Sequence, residues 1–332
     1  MRLPSFEYLE PRSIEEASRL LKEQGDEAKV IAGGTDLLPS MKHRIFRPKS
    51  LIALDRIPDL DRVAFDKKGG LRLGPMVRLH ALGNHPVILE RFPMLRQAAN
   101  AVGSPQLRQM GTLGGNLGLD TRCYYYNQSS FWRSCRSVCI KMGGETCNAV
   151  GGGKKCFAVF SGDLAPALIA LGAKIRLFSK EGERVLSLDD FYSGNGAEPL
   201  AKKPDEMVTG VEVPPPPKGA LSAYYKYRIR KSIDFPLAGV AACLAVDKRE
   251  KVCKEARVVI SAVGQRPQAI EKIGELLRGR KLEAPIMEEA SNLAFKTAKP
   301  VANTGSSPAY RRFMIKVFVR RALEKAAEGN GA

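Results

Sequence analysis

The chain has 332 residues, more than one domain usually holds, with 44% hydrophobic and 27% charged residues, which excludes a disordered or fibrous protein. Lys and Arg number 53 against 35 Asp and Glu, and the formal net charge of +18 favours nucleic acid, an anionic cofactor or an acidic electron carrier as partner. The N-terminus MRLPSFEYLEPRSIEEA has acids and prolines where a secretory signal is basic and then apolar, and no apolar run reaches membrane-spanning length, so a cytoplasmic protein without membrane contact is expected.

Ser13 with Glu16, ahead of Leu20 and Leu21, predicts a capping box opening a helix that Gly25 ends. A strand at KVIA follows. GGTDLLPSMK (33–42) then predicts a glycine turn feeding a helix with Thr35 or Asp36 as its cap. Short strands at LIAL and LRLG and a helix near MLRQAANAV lead to a second glycine turn, GTLGGN (111–116). After a cysteine-rich stretch, GDLAPALIALGA predicts a helix and KIRLFS a strand.

The four prolines at 214–217 can continue neither a helix nor a central strand, so the main boundary is placed there, giving domains 1–217 and 218–332. Beyond it FPLAGVAACLAV and ARVVISAVG flank the charged turn DKREK as a hairpin. Helices near QAIEKIGELLRG, MEEASNLAFKTA and the C-terminus complete the chain.

Gly33-Gly34 and Gly114-Gly115 let the backbone approach a ligand and take positive φ, and successive amides beside a helix start attract a pyrophosphate. Thr35, Thr112 and Asn116 add side-chain donors. Such pairs more often mark tight turns than phosphate sites, and neither matches GxGxxG or the P-loop.

Five of the seven cysteines, Cys123, Cys135, Cys139, Cys147 and Cys156, fall in one irregular stretch with gaps of 11, 3, 7 and 8 residues and no CxxC. A reducing compartment favours metal ligands over disulfides. The spacing fits paired zinc knuckles poorly, whereas an iron–sulfur cluster gathers thiolates from irregular loops. Tyr124 to Tyr126, Phe131 and Trp132 could exclude water there, and Arg122, Lys141, Lys154 and Lys155 could offset negative charge. A [4Fe–4S] cluster uses four of the five cysteines, which leaves five choices that spacing does not rank. Cys243 and Cys253 lie in the hairpin and are expected to pack. His43, His80 and His85 have no metal-ligand spacing and receive no role.

At AGGTDLLPSMK, TLGGN and GDLAPAL, and again at YYKYRIRKSIDFPLAGVA and AYRR, the chain resembles the FAD-binding medium subunits of the xanthine dehydrogenase and CO dehydrogenase family of molybdenum enzymes. The resemblance covers nearly the whole chain. It implies an α+β protein: a two-part FAD-binding fold of the vanillyl-alcohol oxidase (PCMH) type, then a smaller α/β CO dehydrogenase flavoprotein C-terminal domain. It implies a first flavin loop of Ile31, Ala32, Gly33, Gly34, Thr35, Asp36 and Leu37, and a second of Gly111, Thr112, Leu113, Gly114, Gly115 and Asn116. Val102, Asp163 and Lys226 are further flavin positions on the same basis.

Other members run from TLGGN straight to the segment equivalent to GDLAP, whereas this chain inserts about forty residues (119–160) containing DTRCYYYNQSSFWRS. That insert resembles the one in β subunits of 4-hydroxybenzoyl-CoA reductases, which carries a [4Fe–4S] cluster. The resemblance implies ligands at Cys123, Cys139, Cys147 and Cys156 and leaves Cys135 without a role. It also implies a large molybdenum-cofactor subunit and a small [2Fe–2S] subunit, in a dimer of heterotrimers, with ferredoxin as donor. No side chain is then a catalytic acid, base or nucleophile, since the cofactors carry the chemistry. Two rivals differ in cofactor content: a flavin subunit of a xanthine- or aldehyde-type hydroxylase passing electrons outward, and a zinc-bearing nucleic-acid-binding protein. Dispersed basic residues and the lack of a recognised nucleic-acid module count against the second.

Overall fold

The computed structural model describes residues 2–217, 219–247 and 249–328. Lys218 at the expected domain junction, Lys248 in the expected charged turn, and residues 329–332 at the end of the expected second domain lie outside the described residues.

β1 (Glu7–Leu9), β2 (Ala28–Ile31) and β3 (Ser50–Ala53) form a parallel sheet in the order β1-β3-β2. The helix Ile14–Gln24 crosses between the first two strands and begins with half of the expected capping box: Ser13 Oγ accepts from the Glu16 amide at 3.1 Å, while the Glu16 carboxylate accepts from the Arg12 amide at 2.8 Å; Gly25 ends the helix at φ 52°. Ala17 and Leu21 on its inner face pack against Ala28 and Ile52.

β4 (Val63–Asp66), β5 (Gly70–Leu73), β6 (Lys174–Ser179), β7 (Gly182–Ser187) and β8 (Met207–Val213) form an antiparallel sheet in the order β4-β5-β8-β6-β7. Residues 74–173 therefore leave the sheet after β5 and return at β6, carrying the second glycine turn and the cysteines with them. β8 stops at Val213, directly before the prolines, whose nitrogens have no hydrogen to offer a ladder.

β9 (Ala220–Tyr227), β10 (Ala238–Val246), β11 (Cys253–Ser261) and β12 (Gln268–Ala269) form an antiparallel sheet in the order β12-β11-β10-β9. Every residue of β10 is buried, because both faces of this sheet are covered. Ala241 and Cys243 face the core that contains Leu164, Leu168 and Phe160. Val240, Ala242 and Leu244 face a second core made with the helices Glu271–Leu277, Ala284–Thr297 and Pro308–Glu328. Cys243 and Cys253 are packed residues, and burial pushes each thiol up to about 11.

Strands β1, β4, β7, β8, β9 and β12 and the short helices Leu79–Asn84, Pro86–Arg91, Pro105–Met110 and Ser130–Ser134 are additions to the sequence reading. The glycine turns also differ from it. Asp36 stands at the N-cap of the helix Leu37–Lys42 but makes no capping bond, because Arg122 takes its carboxylate. Gly114 and Gly115 lie inside a one-turn helix, Leu113–Leu117, rather than at positive φ; of the two pairs only Gly34 is left-handed, at φ 67°.

Candidate cofactor sites

The two glycine turns lie against each other. A Cβ built on Gly33 would stand 1.9 Å from the Met110 carbonyl oxygen, and one on Gly111 would stand 3.5 Å from Thr35 Oγ1. Glycine at 33 is thus required by chain on chain. Ile31 ends β2, Ala32 follows it, and Leu37 opens the helix, so the first loop runs from a sheet edge to a helix start. Among the described residues the amides of Gly33, Gly34, Thr35 and Asp36 make no backbone hydrogen bond, which leaves four successive donors without a backbone partner.

The second turn is built differently. Gly111 N–H donates to Leu107 O, Leu113 to Val77 O, Gly114 to Pro75 O, and Gly115 to Thr112 Oγ1. Its amides are spent on its own fold, and Leu113 is a core residue. Asn116 is buried and its Oδ1 accepts from the Leu164 amide at 3.0 Å, capping the helix Leu164–Ala170. The second turn therefore stands beside the first as a wall with few amides left to offer.

That cap releases Asp163, which occupies the N-cap position without capping. Its carboxylate accepts from Tyr224 OH at 2.7 Å and from Lys226 Nζ at 2.9 Å. Lys226 also donates to Ala101 O at 2.8 Å, and Val102, the next residue, accepts from Arg108 Nη1. Burial pushes the Asp163 carboxyl up and the Lys226 ammonium down, and each charge opposes the other's shift. With the Tyr224 hydroxyl and Ala101 carbonyl completing their bonds, the two form an ion pair. Tyr224 was not singled out in the sequence; its place in β9 opposite Ala241 gives the only hint, a polar tip on an inward-facing position.

The insert brings the four expected thiols together. Cys123, Cys139, Cys147 and Cys156 line one pocket with Tyr125, Tyr126, Lys141 and Phe157. Cys135 does not line it; that thiol is exposed and donates to Phe131 O. Among the described residues no three His, Cys, Asp or Glu groups are placed to hold one metal ion. Four thiols bordering one space match in number what a four-iron cluster takes, one per iron.

Donors reach two of the thiols, but burial outweighs them and disfavours the charged form. The amides of Tyr125 and Tyr126 point at Cys123, and the Ala158 amide donates to Cys156 Sγ at 3.4 Å. Burial pushes the Cys123 thiol up to about 11 and raises Cys156 as well, with Lys141 lowering the latter. The Lys141 side chain is buried and donates to Asp120 Oδ1, Thr121 Oγ1 and Gly196 O, so one of the four cations expected at the insert is tied both to it and to the loop at Gly196. Lys154 and Lys155 are exposed, and Phe131 is 81% exposed, the most of any large apolar side chain among the described residues. Neither lysine lines the pocket, and Phe131 does not shield it.

Three supports were not visible in the sequence. Gly196 lies so close that a Cβ would stand 3.0 Å from Cys156 Sγ. Asn303 accepts the Tyr124 amide on its carbonyl and donates from Nδ2 to Phe157 O, fastening both ends of the cysteine stretch to the C-terminal part. Arg311 is fully buried without a carboxylate and donates to Asn303 Oδ1, Val301 O, Leu237 O and Ala262 O; burial pushes it down to about 10.

Residues 4–216 match the FAD binding domain in molybdopterin dehydrogenase, and residues 223–326 match the CO dehydrogenase flavoprotein C-terminal domain. The chain belongs to the medium-chain FAD subunits of the molybdenum hydroxylase family. This medium subunit is 32% identical to the carbon monoxide dehydrogenase medium chain of Afipia carboxidovorans over 97% of its own length and 96% of the relative's. It is 36% identical to the aldehyde oxidoreductase FAD-binding subunit of Escherichia coli over 74% and 77%. Reconstituted CO dehydrogenase from Oligotropha carboxidovorans has a chain of the same fold, with TM-score 0.81 and 30% identity over 99% of this chain and 100% of that one. The architecture is accordingly the two-part FAD-binding fold followed by the CO dehydrogenase flavoprotein C-terminal domain. No described helix is long and apolar enough to cross a membrane.

Proposed function

We propose that this medium subunit carries a [4Fe–4S] cluster on Cys123, Cys139, Cys147 and Cys156 beside its FAD, and serves a molybdenum-dependent 4-hydroxybenzoyl-CoA reductase. In this reading electrons come from ferredoxin and leave for the [2Fe–2S] clusters of a small subunit. On a large molybdenum-cofactor subunit two of these electrons and two protons would replace the phenolic hydroxyl of 4-hydroxybenzoyl-CoA by hydrogen, giving benzoyl-CoA and water. The assembly is a cytoplasmic dimer of heterotrimers, with residues 1–217 as FAD-binding domain and 218–332 as C-terminal domain. When bound, the cluster supplies single-electron transfer and the flavin links single-electron to two-electron chemistry.

The chain's own residues bind and shape rather than react. The amides of Gly33 to Asp36 are the donors for the pyrophosphate, and the wall 111–116 sets its position. Tyr125, Tyr126 and Phe157 exclude water from the thiols, while amide donors and Lys141 offset thiolate charge. On the insert surface Arg136, Lys154 and Lys155 face solvent against one exposed acid, Glu145, which suits an acidic ferredoxin.

The observation that carries this reading is the pocket itself: it takes four of the five clustered cysteines and leaves Cys135 outside. A second reading, favoured by the names of relatives such as the aldehyde oxidoreductase subunit, sends electrons outward from molybdenum. Turnover of the purified complex separates the two. Benzoyl-CoA formed with reduced ferredoxin supports the reductase; aldehyde or N-heterocycle oxidation with an acceptor dye, and no dehydroxylation, supports the hydroxylase.

A further inference from the structure

The helix Leu37–Lys42, which follows the first glycine turn, is six residues long and buries only Ser40 and Met41. Such a helix has little stability of its own. Both of its ends are nevertheless held, and by the same distant segment. At the N-terminal end Asp36 pairs with Arg122, the residue directly before Cys123. At the C-terminal end Arg133 Nη2 donates to the carbonyls of His43 and Arg44, each at 3.1 Å.

Neither arginine is placed cheaply. Arg122 has its guanidinium 4.3 Å from the centre of the Phe235 ring and its buried Nε unpaired. Arg133 is buried, its Nε is also unpaired, and its Nη1 bonds the Gln128 carbonyl. Ordering two long side chains in this way costs rotamer freedom, which the surrounding chain must offset. Yet between Cys123 and Cys156 that chain forms only a five-residue helix, Ser130–Ser134, and one short turn of 3₁₀ helix at Ile140–Met142. What lies at its centre is the thiol pocket.

We infer that the thiol pocket and the flavin loop are thermodynamically coupled, with Arg122 and Arg133 as positioning residues that join them through the helix Leu37–Lys42. A filled pocket fixes the insert, the insert holds both helix ends, and the helix holds the loop that presents the free amides of Gly33 to Asp36. By linkage the effect is reciprocal: bound FAD strengthens retention of the cluster by the same factor. The inference rests on the cluster reading given above.

The test uses the whole complex, purified anaerobically, with iron and sulfide assayed and FAD titrated into flavin-stripped protein by fluorescence. Cys147→Ser removes one pocket thiol without touching the helix, and is expected to weaken FAD binding by roughly 5- to 150-fold, the span of ordinary site-to-site coupling. Arg122→Gln is expected to weaken it comparably, and Arg122→Lys, which keeps a cation for Asp36, to recover most of the loss. The double variant Cys147→Ser with Arg122→Gln should be no worse than the weaker single one, since both cut one path. A measurement without substitutions guards against misfolding: flavin-stripped wild type should surrender iron at lower chelator concentration than flavin-loaded protein.

Equal chelator sensitivity, unchanged FAD affinity in an iron-depleted Cys147→Ser protein, or additive losses in the double variant would each overturn the coupling and leave the cluster reading intact. Wild-type protein without iron and sulfide overturns both.

Discussion

Asp163 Oδ2 and Lys226 Nζ meet 2.9 Å apart in the interior, with their side chains only 3% and 4% exposed. The pair joins the start of the helix Leu164–Ala170 to β9, across the polypeptide junction that the prolines mark. Removing one partner leaves the other as an unpaired buried charge. Asp163→Asn and Lys226→Met are each expected to cost about 3–5 kcal/mol in urea unfolding of the subunit, with the double variant well short of their sum. Tyr224→Phe, which deletes one hydrogen bond to the carboxylate, should cost about 1.5–3 kcal/mol.

The thiol pocket makes a prediction that separates cysteines of equal sequence proximity. Serine at 123, 139, 147 or 156 is expected to lower iron content and change the resonance spectrum of the reduced complex. Serine at 135, an exposed thiol outside the pocket, is expected to leave both unchanged. Iron loss from Cys135→Ser equal to that of the others would remove Cys135 from its spare status and break the assignment.

Gly33 and Gly152 test two different reasons for glycine. At Gly33 a methyl group would meet the Met110 carbonyl at 1.9 Å, backbone that has no room to yield. Gly33→Ala should push the two turns apart, costing about 1–3 kcal/mol and most of the bound FAD. Gly152 is left-handed at φ 71° but faces open space, so Gly152→Ala should cost only the roughly 1–2 kcal/mol of its backbone conformation and leave FAD content unchanged.

Glu206 supplies a pH dependence. Its buried carboxylate accepts from Arg184 Nε at 2.5 Å and Nη2 at 2.8 Å and from the Lys203 amide at 2.6 Å, and the Arg184 bonds hold its pKa below the ordinary 4.5. A depressed folded-state value means the contribution is complete above the unfolded value and is lost as pH falls through the folded one. Wild type should therefore exceed Glu206→Gln in stability by about 1.5–3 kcal/mol at pH 7, and the gap should close below pH 4.5. A gap that stays constant into acid would contradict the ion pair.

Elements with a strong local signal were legible in the sequence. Ser13 and Gly25 bound the first helix, and the apolar run of β10 announced one arm of a hairpin. β7 was not legible because it is an edge strand exposed at five of its six residues, so its charges carry no alternation to read. The site shows the same division. Glycines and cysteines mark where the chain turns and where thiols concentrate, but spacing alone left five ligand sets, and the resemblance, not the spacing, named the four that the fold gathers. Asn116 stands where a phosphate donor was expected, yet it caps a helix 48 residues on; Asp36 stands where a cap was expected, yet it answers an arginine 86 residues away. Such partners are set by tertiary packing and leave no trace in local sequence.

The most direct measurement is the cofactor content of the anaerobically purified complex, read from iron, acid-labile sulfide and flavin analysis of the isolated medium subunit together with its resonance spectrum on reduction. The proposed function predicts one FAD and one four-iron cluster per subunit, the cluster signal vanishing with Cys147→Ser. Flavin without iron or sulfide would contradict it.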